Sequence, residues 1–209
     1  MAAPPFAEAS QLAVDGSSLD ASAYTAVVDL SHRAPGWLDG AISAWSAYGL
    51  VVFAVLMVLG WWRARRAGAG AALTALAVPV AAVLAYAVDS VLKLVVREDR
   101  PCRSLHMSTL EACPAPGDWS FPSNHVAIAA AAAVALFFVS RRLGALAAVA
   151  TVAMAASRVW IGVHYPHDVV AGAVVGTLVA LGAQGALKRS SHALARRIAA
   201  TRLRPLLMP

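Results

Sequence analysis

Long apolar stretches alternate with short polar connections along the chain, and this pattern predicts membrane-spanning helices. Uncharged stretches lie at about 40–62, 71–88, 122–140, 143–157 and 169–187. Roughly 20 residues at about 1.5 Å each cross a hydrocarbon core of about 30 Å. We therefore expect an all-α integral membrane helical bundle with about five transmembrane helices.

The two ends of the chain differ from these stretches. Residues 1–20 are rich in Ala, Ser and Asp, and we expect them to form a flexible external arm. From Tyr24 to Asp39 apolar and polar positions alternate around a proline and a glycine, which predicts an N-terminal interfacial helix and a turn. These residues open a membrane-embedded domain over 21–187. Residues 188–209 form a basic cytoplasmic tail, either on the membrane surface or solvated.

Composition and charge support this interpretation. Hydrophobic residues make up 60% and charged residues 13% of the 209 residues, which is unusual for a soluble domain. The net charge of +6 could indicate nucleic-acid binding, but the basic residues sort by side. Alternate connections and the tail contain no acidic residue and hold Arg63, Arg65, Arg66, Arg141, Arg142, Lys188, Arg189, Arg196, Arg197, Arg202 and Arg204. The positive-inside rule makes these segments cytoplasmic, so we expect bilayer contact and no nucleic-acid partner.

Three polar motifs border the apolar stretches and fall on the opposite, outer side. They cover residues 93–101, 121–125 and 157–168. Their ionisable residues include Lys93, Arg100, His125, Arg158, His164 and Asp168. Ionisable groups at the ends of apolar helices are costly, so they indicate a functional site. Cations suit phosphate binding, and histidine suits phosphate transfer through nitrogen.

The third motif brings a carboxylate to a histidine. Pro166 suits the first turn of a helix, and Asp168 would then reach His164. A carboxylate on one imidazole nitrogen fixes the tautomer and makes the other nitrogen more nucleophilic. We expect His167 to be a bystander.

The second motif precedes a helix. Ser123 or Asn124 can cap that helix, whose first amides would bind an anion at the outer site. The alternative is that Ser123 is a cap alone and that His125 is a surface residue.

The first motif ends the second apolar stretch. Four residues are spaced so that they lie near one helical face: Asp89, Lys93, Arg97 and Arg100. We expect Asp89 to neutralise Lys93 or Arg97. The alternative for Lys93 is a snorkelling side chain at the membrane boundary.

The outer loop contains both cysteines of the chain, Cys102 and Cys113. Its oxidising location favours a disulfide. Two free thiols, or a metal site completed by His106, are the alternatives.

Together the three motifs resemble the signature of the type 2 phosphatidic acid phosphatase superfamily. The resemblance covers about 80–180, with one departure, because Asn124 stands where the family usually has glycine. Residues after Tyr24, among them Trp37 and Tyr48, also resemble the start of bacterial undecaprenyl-diphosphatases of the bacitracin-resistance type.

The resemblance implies a role for each site residue. It implies that His164 attacks phosphorus to form a phosphohistidine, that Asp168 orients it, and that His125 is the general acid and base. The implied phosphate-binding residues are Lys93, Arg100, Ser123, Asn124 and Arg158. It implies no metal and no cofactor.

We therefore expect a polyprenyl diphosphatase that hydrolyses undecaprenyl or decaprenyl diphosphate at the extracytoplasmic face of a bacterial plasma membrane, recycling the lipid carrier of cell-wall synthesis. Phosphatidic acid, phosphatidylglycerol phosphate and prenyl-phosphate sugars are alternative substrates. A non-catalytic lipid-phosphate binding or transport protein is the alternative from another class. Such a binder has no use for His125, His164 and Asp168 together. Vanadium haloperoxidases share the signature, but they are soluble.

Overall fold

The computed structural model describes residues 14–202 and 204–207. Its helices, in chain order, are α1 (Ser17–His32), α2 (Gly36–Tyr48), α3 (Leu50–Ala67), α4 (Ala69–Val96), α5 (Pro101–Ser104), α6 (Asn124–Phe137), α7 (Arg141–Trp160) and α8 (Pro166–Ala199). A short 3-10 helix, Arg204–Leu206, follows. These described residues form no β-strand, which confirms the predicted all-α class.

Helix α6 lies at the centre of the bundle and packs against α4, α7 and α8. Its buried face consists mostly of alanine, whose small side chain lets neighbouring backbones approach closely. Helix α8 contributes glycines to this contact. A Cβ atom on Gly172 would lie 2.6 Å from the carbonyl oxygen of Ser123, and one on Gly176 would collide with the carbonyl oxygen of Ala127. Glycine is therefore required where α8 crosses α6.

The apolar helices make this a multi-pass membrane protein. Helices α4, α7 and the Pro166–Arg189 part of α8 are each long and apolar enough to span a bilayer. Helices α2 and α3 pass this test as a pair bent by 51°. Helix α6 is apolar but has only 14 residues. Each predicted stretch contains a helix, but length and composition support three or four spans in the described residues, so the count of five is not confirmed.

The C-terminal part does not separate from the bundle at residue 187. Helix α8 continues to Ala199, because no proline interrupts the chain between Pro166 and Pro205. The chain then packs back on the bundle. The indole nitrogen of Trp61 donates to the carbonyl oxygen of Leu206 over 2.9 Å, and Leu207 is buried.

The amino-terminal part is attached to the bundle from residue 14 onward. The Val14 amide donates to the Arg97 carbonyl, and the Asp99 amide donates to the Val14 carbonyl, each over 3.0 Å. The backbone of Val14 thus pairs with the segment after α4, whereas we expected a flexible arm over 1–20. Residues 1–13 lie outside the described part of the chain. The predicted helix and turn before the first span are confirmed by α1 and the turn that follows it.

Candidate active site

The C-terminal ends of α4 and α7 and the N-terminal ends of α6 and α8 meet at one end of the bundle. The six ionisable residues singled out in the sequence are gathered there: Lys93, Arg100, His125, Arg158, His164 and Asp168. The predicted disulfide between Cys102 and Cys113 is confirmed in the loop above them. The motifs thus converge although they come from separate parts of the chain.

The start of α8 positions the carboxylate of Asp168. Pro166 occupies the first helical turn, as predicted, and the Tyr165 amide donates to Asp168 Oδ2 over 2.8 Å. The same oxygen accepts a hydrogen bond from the Ser120 hydroxyl and lies 3.1 Å from His164 Nδ1. The predicted reach from Asp168 to His164 is therefore confirmed.

The tautomer of His164 follows from its two neighbours. Arg100 Nη1 lies 2.9 Å from His164 Nε2, and a guanidinium can only donate, so Nε2 accepts. The ring proton then belongs on Nδ1, facing Asp168 Oδ2. The lone pair of Nε2 is therefore directed toward Arg100. Nε2 is the nitrogen that a bound phosphate would contact.

His164 is buried. Arg100, which also donates to the Val163 carbonyl, and Ser120 cover the ring. Burial lowers the pKa of His164 well below its ordinary 6.5, and the nearby positive charges of Arg100 and Lys93 lower it further. The charges of Arg158 and His125 act in the same direction. The imidazole is therefore neutral near pH 7, as a nucleophile must be.

Residues 118–120 hold two of the cations. Lys93 Nζ donates to the carbonyl oxygens of Trp119 and Ser120 over 2.6 and 2.8 Å. Arg100 donates through Nε to the Asp118 carbonyl over 3.0 Å and through Nη2 to its carboxylate over 2.8 Å. An ammonium group has three protons, so Lys93 keeps one free of these two carbonyls.

Arg158 is oriented by helix α2. Its Nη1 donates to the hydroxyl of Ser46 over 2.7 Å, and Glu111 Oε2 lies 4.0 Å away. Ser46 is itself buried. The sequence contains no signal for this contact, because a single serine in an apolar stretch does not reveal which helix it faces.

The second motif only partly matches its prediction. Ser123 occupies the N-cap position of α6, but its side chain makes no capping hydrogen bond. Its amide donates to the Asp168 carbonyl over 3.1 Å, so this amide is not free for an anion. The buried Ser123 hydroxyl and Asn124 Oδ1 have no hydrogen-bond partner among the described residues. His125 follows in the first turn and is half-buried rather than a surface residue.

The predicted shared face on α4 is wrong for Arg97 and Arg100, because both follow the last residue of the helix. The helix ends at Val96, and Arg97 has a left-handed backbone with φ of 54°, so its side chain turns outward. Asp89 is buried, but neither of its oxygens has a hydrogen-bond partner in the described part of the chain. It forms no salt bridge there with Lys93, which instead donates to backbone carbonyls.

His167, which we expected to be a bystander, contacts two carboxylate side chains. Its backbone amide and ring Nδ1 contact the two carboxylate oxygens of Asp20 over 2.7 and 2.8 Å, and Nε2 lies 2.9 Å from Glu98 Oε1. Among the described residues, ligand atoms of Glu98, His167 and Asp168 lie within 4.8 Å of one another, close enough to hold a metal ion. Both ring nitrogens already contact carboxylates, however, which favours a cluster of charges over a metal centre.

Of two residues that were not predicted, Ser120 lies beside a recognised motif and Asp20 does not. Ser120 directly precedes Phe121-Pro122 of the second motif, so its nearness to Asp168 could have been anticipated. Asp20 stands in a polar segment remote in sequence from α8, where no spacing rule connects it to His167.

Comparison with known proteins found a family model and several similar proteins. A family model described as PAP2 superfamily matches residues 72–190. The chain is 28% identical over 156 residues to undecaprenyl-diphosphatase BcrC of Bacillus subtilis, covering 75% of this chain and 78% of that protein. It is 34% identical over 136 residues to decaprenylphosphoryl-5-phosphoribose phosphatase of Mycobacterium tuberculosis, covering 63% of this chain and 67% of that one.

A solved structure shares the fold. The crystal structure of Aquifex aeolicus LpxE superposes with a TM-score of 0.65 at 21% identity, covering 83% of this chain and 99% of that chain.

Proposed function

The chain belongs to the PAP2 superfamily, and from this membership we propose that it is a polyprenyl diphosphatase that releases the terminal phosphate of a lipid diphosphate. The observation that carries the proposal is the arrangement of His164 between Asp168 at 3.1 Å and Arg100 at 2.9 Å. A binding protein needs the cation alone. A buried neutral imidazole with an orienting carboxylate supports nucleophilic chemistry.

In the first step, Nε2 of His164 attacks the terminal phosphorus. A P–N bond forms, and the P–O bond to the polyprenyl phosphate breaks. Burial and the charges of the nearby cations lower the pKa of His125 to about 4, so His125 takes up a proton from solvent only beside the anionic phosphates of the substrate. It then gives this proton to the departing oxygen, while Asp168 stabilises the charge that develops on the imidazole. Arg100 must leave Nε2 as the phosphate arrives, and its guanidinium then donates to the phosphoryl oxygens.

In the second step, water replaces the histidine. His125, now unprotonated, takes a proton from the water, whose oxygen attacks phosphorus. The P–N bond breaks, and inorganic phosphate leaves with His164 neutral again. Histidine and solvent supply all the groups that these two steps require, and no step uses a metal ion.

The cations hold the transferring group. Lys93, Arg100 and Arg158 stabilise the negative charge that spreads over its oxygens. The uncommitted hydroxyl of Ser123 and the side-chain amide group of Asn124 lie at the start of α6 and complete the cradle. The hydroxyl can donate to a phosphoryl oxygen, whereas the asparagine contributes through its amide group.

The apolar helices favour a lipid substrate. The site lies at one end of a bundle whose outer surfaces carry exposed valine and leucine side chains. A lipid can present its phosphates there without leaving the bilayer. The diphosphate has a better leaving group than a phosphate monoester of a lipid alcohol.

A prenyl-phosphate sugar phosphate is the second candidate substrate. It is supported by the likeness to decaprenylphosphoryl-5-phosphoribose phosphatase, a relative with higher identity over a shorter match than the diphosphatase. Both substrates combine a long prenyl chain with a terminal phosphate. They differ in whether the bond that breaks belongs to an anhydride or to a sugar ester.

The distribution of charge supports an extracytoplasmic site. Arg63, Arg65 and Arg66 close α3, and Arg65 stacks on Trp62 with its guanidinium carbon 4.2 Å from the ring centroid. Arg141 and Arg142 open α7 at the end opposite Arg158. Basic and aromatic residues at this end are typical of a cytoplasmic membrane boundary.

An accessibility experiment tests the orientation. In a background without the native cysteines, a cysteine at exposed Ser108 should react with an impermeant external thiol reagent in intact cells. One at exposed Ala145 should be protected until the cells are permeabilised. The reversed pattern would refute the extracytoplasmic assignment.

Phosphate release by purified protein in mixed micelles tests the substrate. The panel contains polyprenyl diphosphate, decaprenylphosphoryl-5-phosphoribose carrying its 5-phosphate, phosphatidic acid and phosphatidylglycerol phosphate at matched surface concentration. We expect the highest kcat/KM for polyprenyl diphosphate. The His164→Ala variant should release no phosphate from any of these lipids. Preference for the sugar phosphate would select the second candidate, and equal or greater kcat/KM for a glycerolipid would refute both.

A further inference from the structure

His167 lies among three carboxylates beside the proposed nucleophile. Its Nδ1 is 2.8 Å from Asp20 Oδ1, and its Nε2 is 2.9 Å from Glu98 Oε1 and 3.5 Å from Asp168 Oδ1. A neutral imidazole has one N–H donor, but here both nitrogens face carboxylate oxygens. An imidazolium satisfies both contacts at once, so the ring carries a positive charge.

The imidazolium joins three separate segments. Asp20 belongs to α1, Glu98 follows α4, and His167 lies in the first turn of α8. Asp20 Oδ2 also accepts from the backbone amide of His167 over 2.7 Å. A carboxylate at this position satisfies one of the free amides at a helix N-terminus and interacts favourably with the helix dipole.

These segments approach each other closely at a glycine. A Cβ atom on Gly16 would collide with the carboxylate of Glu98 and would lie 3.1 Å from His167 Cε1. Both the amide and the carbonyl of Val14 are hydrogen-bonded to the backbone of the segment after α4. Residues 14–20, which we call the N-terminal strap, are therefore held against both the Glu98 loop and the start of α8.

The buried carboxylate of Asp168 requires a compensating charge. Its Oδ2 contacts His164, Ser120 and Tyr165, but its Oδ1 has no hydrogen-bond partner among the described residues. Nε2 of His167 lies 3.5 Å from Oδ1, which is within salt-bridge distance. An ionised carboxylate without such a partner is costly to bury.

We propose that His167 is a charged positioning residue that keeps Asp168 ionised and directed at His164, with the N-terminal strap holding the imidazolium in place through Asp20. The inference rests on the proposed function, because it assigns to His167 an action through the orienting carboxylate. It makes the amino-terminal segment part of the catalytic apparatus rather than a peripheral arm.

A double-mutant cycle separates this role from a purely structural one. His167→Asn should lower kcat about 10- to 100-fold with KM changed less than about twofold, because one charged hydrogen-bonded contact is lost. In an Asp168→Asn background the same change should cost less than about threefold, since no carboxylate remains to be kept ionised. Equal costs in the two backgrounds would overturn the proposal.

Matched controls lie on the same helix as Asp20. Asp20→Asn should reduce kcat in the same direction as His167→Asn, whereas Asp29→Asn and His32→Asn should retain wild-type kcat, because Asp29 and His32 are exposed. Wild-type kcat in Asp20→Asn would remove the strap from the proposal.

Hydrogen–deuterium exchange in detergent tests the strap without relying on turnover. His167→Asn should accelerate exchange over 14–20 and leave α4 and α6 unchanged, whereas unchanged exchange over 14–20 would overturn the strap's attachment through His167. Wild-type protein that releases no phosphate from any lipid would instead refute the proposed function, and the exchange result would still decide whether His167 holds the strap.

Discussion

Replacing Asp168 with asparagine removes a charge from the candidate active site and changes its shape very little. Three donors meet at Oδ2 of this carboxylate: the Ser120 hydroxyl, the Tyr165 amide and His164 Nδ1. An asparagine oxygen can still accept from all three, but as a neutral group. If the amide nitrogen faces His164 instead, the ring proton moves to Nε2 and the nucleophilic lone pair is lost.

The structure allows the two consequences to be separated. The hydrogen bonds from Ser120 and Tyr165 exist before and during the reaction. Asp168→Asn replaces their charged acceptor with a neutral one, which lowers the free energy of unfolding. About 1 kcal/mol for each bond gives a loss of about 2 kcal/mol. The charge on His164 develops during attack, so its loss of stabilisation lowers kcat. By analogy with other histidine–carboxylate pairs, we expect kcat to fall about 10²- to 10⁴-fold, or about 2.7–5.4 kcal/mol in barrier height.

Steady-state phosphate release in mixed micelles measures this effect, with thermal unfolding of the same preparation as the control for stability. Asp29→Asn, an exposed carboxamide substitution on α1, should match the wild type in both measurements. A kcat for Asp168→Asn within threefold of wild type, in folded protein, would refute the orienting role of Asp168.

Three further predictions test other parts of the site. Ser46→Ala should lower kcat/KM about tenfold or more, because Arg158 loses its 2.7 Å hydrogen bond. Ser43→Ala on the same helix should leave kcat/KM unchanged. Equal kcat/KM values for the two variants would refute the role of Ser46 in orienting Arg158. Treatment with a chelator should leave phosphate release unchanged, and loss of activity that added divalent metal restores would contradict the histidine mechanism as written. Because the pKa of His164 is lowered, protonation should inactivate the nucleophile only well below pH 6.5. This assignment would be contradicted if kcat/KM fell on the acid side with an apparent pKa at or above 6.5 and if substitution of Arg100 shifted that pKa.

The extent to which the site could be predicted depended on how its residues are spaced. Asp168 reaches His164 because both lie at the start of one helix, and local spacing is sufficient to predict such a contact. The apolar stretches likewise predicted the helices, because membrane-spanning segments require long runs without charge. The number of membrane-spanning helices does not follow from these stretches, because α2 and α3 form a bent pair and α6 is short.

Contacts between distant segments could not be predicted. Ser46 and Asp20 are ordinary polar residues, and only the crossing of helices brings them to Arg158 and His167. The left-handed residue that ends α4 also redirects Arg97 away from the face that helical spacing predicts. In each case the missing information is tertiary, because a period of 3.6 residues describes one helix and not its neighbours.

Trapping the covalent intermediate tests whether His164 is the nucleophile. Wild-type protein mixed with polyprenyl diphosphate labelled in its terminal phosphate is quenched within one turnover under alkaline denaturing conditions, which preserve P–N bonds, and the labelled peptide is identified by mass spectrometry. The proposed mechanism predicts phosphohistidine at His164, none in His164→Asn, and prolonged labelling in His125→Gln, where attack by water is slowed. Phosphate release by the wild type without any label on His164 would contradict it.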